Sequence, residues 1–232
     1  MKKTVKFALK QSLPIFFGYI FLGFAFGILL QQVGYNSIWA FFTSLTVYAG
    51  AMQFVLVDFL IEGTPLITVA IMTLLINFRH VFYGLSFIEK FKTMGKKYPY
   101  MIFSLTDETY SVLCSCKYPD GIDEKQASFL IALFNQCYWI LGGVLGAAIG
   151  QLVPFSFKGI DFSMTALFVV LLIEQWKSCK NHLPAIIGLI TAAISLIIFG
   201  ANNFILPALI VTVAILMAFN KSPLFKVEED LR

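Results

Sequence analysis

The sequence predicts an all-α polytopic membrane protein, and three observations support this fold class. Of its 232 residues, 59% are hydrophobic and only 13% are charged, with a mean hydropathy of +0.82. Residues 11–57, 126–157 and 183–220 contain no Asp, Glu, Lys or Arg, whereas a bilayer span needs only about 20 apolar residues. Connections between apolar segments are short, so there is no room for a soluble domain or a nucleic-acid-binding domain.

Eight hydrophobic segments follow one another along the chain. The first follows a basic stretch but has no A-x-A-like cleavage site, so we expect a retained span and not a secretory signal. The longest internal hydrophilic stretch, residues 117–126, is only a loop with turn residues. The segments are residues 11–34, 38–61, 65–89, 98–116, 126–152, 160–176, 183–200 and 203–219.

The two halves of the chain, approximately residues 11–116 and 126–219, resemble each other within one membrane domain of residues 1–232. A gapless shift of 119 residues aligns identical polar and small residues, which apolar composition alone does not produce. The aligned pairs include Gly23 with Gly142, Gly27 with Gly146, Gln32 with Gln151, Ser44 with Ser163, Thr46 with Thr165 and Pro65 with Pro184. We therefore predict an internal duplication.

Lysine clusters set the predicted topology. Clusters before segment one and at residues 90–97 both mark the cytoplasmic side, so an even number of crossings must separate them. Segment two, with a glycine in YAGAM at 48–52, is the best candidate to turn back, and segment six is its counterpart. This arrangement predicts about six crossings plus two re-entrant or broken helices, inverted halves, a loop at 117–125 outside and both termini in the cytoplasm. The alternative is seven or eight full spans.

Arg79 is the most unexpected polar residue, because an Arg in mid-membrane costs about 2.5–3.5 kcal/mol on insertion scales. It either contacts an anionic group of a substrate, snorkels to the cytoplasm, or pairs with Asp107 or Glu108. Asn77 and His80 are three residues apart and share a different helix face. His80 is a candidate proton carrier, although a packed, hydrogen-bonded histidine is the commoner case.

Asp107 and Glu108 are adjacent acids in a weakly hydrophobic segment. They indicate a cation site, an ammonium site or a proton relay, or else the entrance of a helix or a kink. Tyr48, Gly50 and Gln53 suit an unwound helix whose free amides meet a carboxylate.

Other polar and small residues have simpler interpretations. The GxxxG series favours helix packing, and the cysteines fit neither a disulfide framework nor a zinc site, so no metal or cofactor is predicted. Asn135 and Gln136 could line the same cavity as the acids, Glu174 and Gln175 are weaker counterparts, and Asn202 and Asn203 suit a tight turn. The glycines are Gly23, Gly27, Gly142, Gly146 and Gly150, and the cysteines are Cys114, Cys116, Cys137 and Cys179.

Four motifs in order, FGYIFLGFAFGILLQQVG, VYAGAMQF, INFRHVFYG and SLTDETYSV, resemble the AzlC family, the large subunit of branched-chain amino acid exporters. The resemblance covers most of residues 11–219. It implies export of amino acids such as leucine, isoleucine and valine, and a small AzlD-type partner subunit in the bacterial cytoplasmic membrane. The matching motif positions are Tyr48, Gly50, Gln53, Asn77, Arg79, Asp107 and Glu108.

Three functions compete on these observations. The first is a secondary transporter in which Tyr48, Gly50, Gln53, Asn77 and Arg79 bind an amino acid, while Asp107, Glu108 and His80 couple to protons. The second is an intramembrane enzyme, which lacks H-E-x-x-H and G-x-S-x-G motifs. The third is a non-catalytic subunit of a heteromeric complex. No Walker-type nucleotide motif is present, so we predict a secondary transporter that is not an enzyme.

Overall fold

The computed structural model describes residues 1–152, 181–200 and 204–219, with a few isolated positions between 169 and 177. Within these residues all regular elements are helical, as predicted. The chain divides into two compact units, Met1–Leu167 and Phe168–Arg232. The helices are α1 (Lys2–Gln32), α2 (Ser37–Thr46), α3 (Gly50–Glu62), α4 (Leu66–Asn77), α5 (Arg79–Lys92), α6 (Tyr98–Phe103), α7 (Asp107–Ser115), α8 (Glu124–Leu152), α9 (Leu183–Phe199) and α10 (Ile205–Phe219), with a 3-10 turn at Gly95–Lys97.

Helices α1 and α8 are long and apolar enough to cross a membrane, and the bent pair α4–α5 adds a third span if it is counted as one. These assignments rest on length and composition within the described residues. With 31 residues, α1 is about 46 Å long, more than the hydrocarbon core of about 30 Å requires. The crossings predicted for segments seven and eight stay predictions.

Glycines bring α1 and α8 into direct backbone contact. A Cβ at Gly27 would lie 2.1 Å from the Gly143 carbonyl oxygen, and one at Gly146 would lie 2.0 Å from the Phe24 oxygen. Neither oxygen belongs to a side chain that could move away, so only glycine fits at both positions. The packing interpretation of the GxxxG series is confirmed for this pair of helices.

Helices α1 and α8 run parallel, because successive residues along α1 contact successive residues along α8 in the same order. The contacts pair Tyr19 with Trp139, Gly23 with Gly142, Gly27 with Ala147, and Gln31 with Gly150. Inverted halves require equivalent helices to run antiparallel, so this pair does not have the predicted inverted relation. Parallel equivalent helices fit a two-fold axis along the membrane normal instead. The duplication itself stays a prediction.

Helices α2 and α3 form a hairpin that turns back halfway along α8. The turn lies against the middle of α8, where Gly50 meets the Trp139 ring. The second half of α3 returns to the end of α1, since Phe54, Val57 and Ile61 line a cavity together with Leu29 and Val33. Gly63 ends α3 in the left-handed conformation that glycine adopts freely. The prediction that segment two turns back agrees with this path.

The predicted crossing by segment four is wrong, because residues 104–106 interrupt it. Helices α6 and α7 have 6 and 9 residues, which is about 9 and 14 Å, too short for either to span a bilayer. They form a second hairpin, whose two ends lie at the lysine-rich end of α5.

Contacts of the loop after α7 establish that position. Lys90 Nζ lies 2.7 Å from Glu124 Oε1, and the Lys125 ammonium donates to the Thr93 carbonyl oxygen at 2.9 Å. The Tyr118 ring packs on Phe7 of α1, with centroids 5.8 Å apart. The 117–125 loop and the 90–97 cluster therefore share one end of the bundle. The prediction that the loop lies on the opposite side from this cluster is wrong, since Glu124 pairs with Lys90.

The shared position of the 117–125 loop and the 90–97 cluster predicts that a thiol reagent labels both from the same side of the membrane. We expect Lys96→Cys and Asp120→Cys, in a chain whose native cysteines are serines, to react with an impermeant maleimide in inside-out vesicles but not in intact cells. Glu62→Cys, at the end of α3, is the matched control and should react in intact cells. Labelling of Asp120→Cys and Lys96→Cys from opposite sides would contradict the arrangement of α6 and α7.

The second unit contains a helix pair, α9 and α10. Thr191 Oγ1 hydrogen-bonds to Thr212 Oγ1 between them, and each hydroxyl also bonds to a carbonyl one turn earlier in its own helix. Hydroxyl contacts of this kind hold apolar helices together where the surroundings offer no water.

Candidate functional site

The first helix break, residues 47–49, separates α2 from α3 at Tyr48. Among described non-glycine residues, Tyr48 alone has a positive φ, +41°. Such a conformation costs about 1–3 kcal/mol and persists where surrounding packing imposes it, often at functional sites. The ring is 3% exposed, and its hydroxyl is buried without a hydrogen-bond partner. The break thus leaves a strained backbone and an unsatisfied phenol in the middle of the bundle.

Gly50 and Gln53 follow the break and hold Trp139 of α8. A Cβ at Gly50 would lie 3.1 Å from the indole ring. Gln53 is fully buried, accepts a hydrogen bond from Trp139 Nε1 at 2.7 Å and donates to Ser44 Oγ at 3.4 Å. Both residues therefore fix the position of the break through packing and hydrogen bonds.

The second break, at Phe78, bends α4 against α5 by 44°. Arg79 is the first residue after it, and its Nη2 lies 2.9 Å from Asp107 Oδ2. The predicted alternative of an internal ion pair is confirmed. The pair is incompletely satisfied, because Arg79 Nε and Asp107 Oδ1 are buried without partners. Buried polar atoms of this kind are rare in proteins, and they can form hydrogen bonds with a bound molecule.

Asn77 and His80 flank the same break. The Asn77 side-chain oxygen is buried without a partner, and His80 Nδ1 lies 3.1 Å from the Asn77 carbonyl oxygen. The His80 ring also packs edge-on against Tyr83, with centroids 5.7 Å apart. The sequence treats this stretch as one continuous helix, whereas the structure ends one helix at Asn77 and begins the next at Arg79.

The third break, residues 104–106, places both acids at the start of α7. Thr106 caps this helix by accepting a hydrogen bond from the Thr109 amide at 3.3 Å. Carboxylates in a first helical turn are favoured by the helix dipole. Asp107 faces Arg79, whereas Glu108 accepts a hydrogen bond from the Tyr19 hydroxyl at 2.6 Å. The interpretation of T-D-E as a helix entrance and a kink agrees with this geometry.

Helix α8 contributes two amides between the hairpins. Asn135 is fully buried and donates to Thr109 Oγ1 at 3.0 Å. Gln136 accepts from the Tyr100 hydroxyl at 2.8 Å and donates to the Leu45 carbonyl oxygen at 3.2 Å. Gln136 therefore links the two hairpins, and Asn135 contacts Thr109, the residue after Glu108.

The three breaks meet at one place. The rings of Tyr48 and Phe103 lie 6.2 Å apart, which joins the first break to the third. The Arg79–Asp107 ion pair joins the second break to the third. Buried polar atoms without partners occur at all three breaks and on α8, on Tyr48, Asn77, Arg79, Ser104, Asp107 and Asn135. Such a site can bind a small molecule that carries both charges and several hydrogen-bonding groups.

Sequence reasoning missed three participants. Tyr19 and Trp139 lie within apolar helical stretches, where nothing marks them as polar contacts of the acids or of Gln53. The sequence did contain an indication for Thr109, because T-D-E-T at 106–109 is a pattern typical of the start of a helix. Four weaker candidates, Glu174, Gln175, Asn202 and Asn203, lie outside the described residues.

Comparison with known proteins covers the same region. The AzlC protein family matches residues 14–153, which contain all three breaks. The branched-chain amino acid transport protein AzlC of Bacillus subtilis (strain 168) is 39% identical over 221 residues, which is 95% of this chain and 87% of that protein. An uncharacterized membrane protein of Helicobacter pylori (strain ATCC 700392 / 26695) is 40% identical over 219 residues, 94% and 96% of the two chains. The inner membrane protein YgaZ of Escherichia coli (strain K12) is 28% identical over 209 residues, 87% and 84%. No solved structure matches the chain.

Proposed function

The chain belongs to the AzlC family, and from this premise we propose that it is a secondary transporter that exports branched-chain or similar small amino acids across the bacterial cytoplasmic membrane. Its substrate binds where the three helix breaks meet. The observation that carries the proposal is the Arg79–Asp107 ion pair, enclosed by buried polar atoms that lack partners.

The ion pair matches the charges of an amino acid. A zwitterion offers a carboxylate to Arg79 and an ammonium group to Asp107, so each ionised side chain exchanges one partner for another of the same sign. Without such a replacement, separating the pair would leave two half-buried charges without partners, at a smaller free-energy cost than for a fully buried pair, since the Arg79 side chain is 33% exposed. A molecule with only one of the two charges would leave one side chain unpaired. The site therefore selects zwitterions.

The surrounding polar groups complete the proposed binding site. The Tyr48 hydroxyl and the Asn77 amide oxygen supply hydrogen bonds, while Gly50 and Gln53 hold the break in place through Trp139. No side chain caps α3, so the amides of its first turn offer a second position for the carboxylate. An aliphatic side chain would lie against aromatic rings such as Phe103.

Export against a gradient needs an energy source. A proton gradient is the simplest, with Asp107, Glu108 and His80 as the candidate carriers. Asp107 has a second role in this scheme, because protonation would release Arg79 and weaken binding of the ammonium group. The two functions of one carboxylate would link substrate release to proton uptake.

A small AzlD-type membrane subunit is the proposed partner. The competing proposal, that this chain is a non-catalytic subunit, rests on the same charged groups acting only as contacts between subunits. Efflux of preloaded leucine from cells that express this chain alone, or with its partner, separates the two. We expect leucine efflux to require Arg79 both when this chain is expressed alone and when it is expressed with its partner. If efflux survived loss of the Arg79 side chain at full rate, the site would belong to another chain.

A further inference from the structure

A chain of hydrogen-bonded side chains leads from Glu108 at the third break to Asn135 of α8. The Tyr19 hydroxyl lies 2.6 Å from Glu108 Oε2 and 2.7 Å from Thr106 Oγ1. Thr106 Oγ1 in turn lies 3.1 Å from Thr109 Oγ1, which accepts from Asn135 Nδ2 at 3.0 Å. Three helices, α1, α7 and α8, thus bring one carboxylate, three hydroxyls and one amide together in the protein interior.

Two oxygen atoms of this region have no partner. Asn135 Oδ1 and Ser104 Oγ are buried without hydrogen bonds, and both residues are 0% exposed. The contact of Asn135 Nδ2 with Thr109 Oγ1 holds the amide group beside the cluster. An amide oxygen cannot donate a hydrogen bond, and it therefore needs either a donor or a cation.

The charges of Asp107 and Glu108 indicate whether this region would bind a hydrogen-bond donor or a cation. The charge of Asp107 is matched by Arg79 at 2.9 Å, whereas Glu108 contacts the neutral Tyr19 hydroxyl. An ionised Glu108 would carry a negative charge that has no cationic partner within this cluster, and a monovalent cation would balance it. Carboxylate, hydroxyl and amide oxygens are hard ligands that favour alkali or alkaline-earth ions over transition metals. Broken helices in transporters commonly provide such oxygens to a coupling ion.

We propose that this cluster binds Na⁺, with oxygens of Glu108, Thr106, Thr109 and Asn135 as ligands. The inference deepens the proposed function by naming a coupling ion, and it assigns Glu108 to that ion, which leaves Asp107 and His80 as proton carriers. Because Asp107 and Glu108 are adjacent in α7, an ion on Glu108 would position the Asp107 carboxylate for the substrate. Ion binding would thereby strengthen amino acid binding.

Thermal unfolding of the purified protein in lipid nanodiscs tests ion binding without any transport. We expect the Tm to rise saturably with NaCl, and not with choline chloride at equal ionic strength, because a ligand stabilises the state that binds it. Glu108→Gln and Thr109→Val, which keep side-chain size, should abolish the rise. Glu89→Gln, whose side chain is 84% exposed, is the matched control and should retain it.

Equal stabilisation of the wild type by NaCl and choline chloride would overturn the proposal, as would an unchanged Na⁺ response in Glu108→Gln. If the variants fail to fold, ²²Na⁺ binding to the wild type decides instead, and no saturable binding contradicts the site. Failure of leucine efflux with an intact Na⁺ response would reject the proposed substrate alone. The absence of a Na⁺ response in the wild type, with normal leucine efflux, would reject the cation site alone.

Discussion

Replacing Gly146 with alanine is expected to separate α1 from α8 and to remove most folded protein from the membrane. The new methyl group would lie 2.0 Å from the Phe24 carbonyl oxygen, and a Cβ at Gly27 would lie 2.1 Å from the Gly143 oxygen. Because backbone atoms of both helices would have to move, we expect a loss of several kcal/mol in stability, as for severe overpacking. The measurement is detergent-resistant folded protein by fluorescence-detected size exclusion.

Two other glycines provide matched controls. Gly18 lies in α1, the helix on which Gly146 packs, with nothing within 4 Å of its Cβ position, so Gly18→Ala should leave the yield unchanged. At Gly150 the nearest atom, at 3.2 Å, is the amide oxygen of the long Gln31 side chain, which can move, so Gly150→Ala should have an intermediate effect. Equal yields for the variants of Gly18 and Gly146 would contradict the parallel packing of α1 and α8.

Neutralising both members of the central ion pair is expected to slow transport strongly while preserving the fold. Arg79→Gln or Asp107→Asn alone leaves one charge without a partner, which lowers both yield and transport. The Arg79 side chain is 33% exposed, so the loss of stability should stay below the roughly 3–5 kcal/mol of a fully buried pair. The double variant should recover the yield but transport at least about tenfold more slowly, since about 1.4 kcal/mol of binding is a factor of ten.

Two further variants sharpen this test. Arg79→Lys keeps the charge but loses the planar fork and the Nε group, so we expect normal membrane insertion and reduced leucine efflux. The Lys90–Glu124 pair at the lysine-rich end is the matched control, with a distance of 2.7 Å. Its double neutral variant should transport normally. Normal efflux by the double variant of Arg79 and Asp107 would show that the central pair is only structural.

Several features were predictable because local sequence determines them. The glycines that pack α1 on α8, and the turn at YAGAM, follow from residue size and backbone freedom. The ion pair of Arg79 was one of three alternatives, since a charge inside a membrane requires a partner. Asn135 was recognised because an amide in an apolar helix rarely occurs without a polar neighbour.

The remaining features depend on contacts between distant residues. The break at residues 104–106 contains neither glycine nor proline, so only the Thr106 cap indicated it. The loop at 117–125 was predicted on the wrong side because its acids were counted as a net charge, whereas Glu124 pairs with Lys90 of another helix. The parallel direction of α1 and α8 follows from the hairpins α2–α3 and α6–α7, and the hydropathy of the sequence does not indicate it. Orientation relative to the membrane stays a prediction from the lysine distribution.

Protection of a cysteine at the meeting point of the three breaks tests the central claim most directly. Phe103→Cys replaces a ring that is 44% exposed and lies 6.2 Å from Tyr48, and Asp120→Cys in the distant loop is the control, both in a chain without native cysteines. Saturating leucine should slow thiol labelling of Phe103→Cys several-fold and leave Asp120→Cys unchanged. An identical labelling rate of Phe103→Cys with and without leucine, in a protein that still exports leucine, would contradict binding at this site.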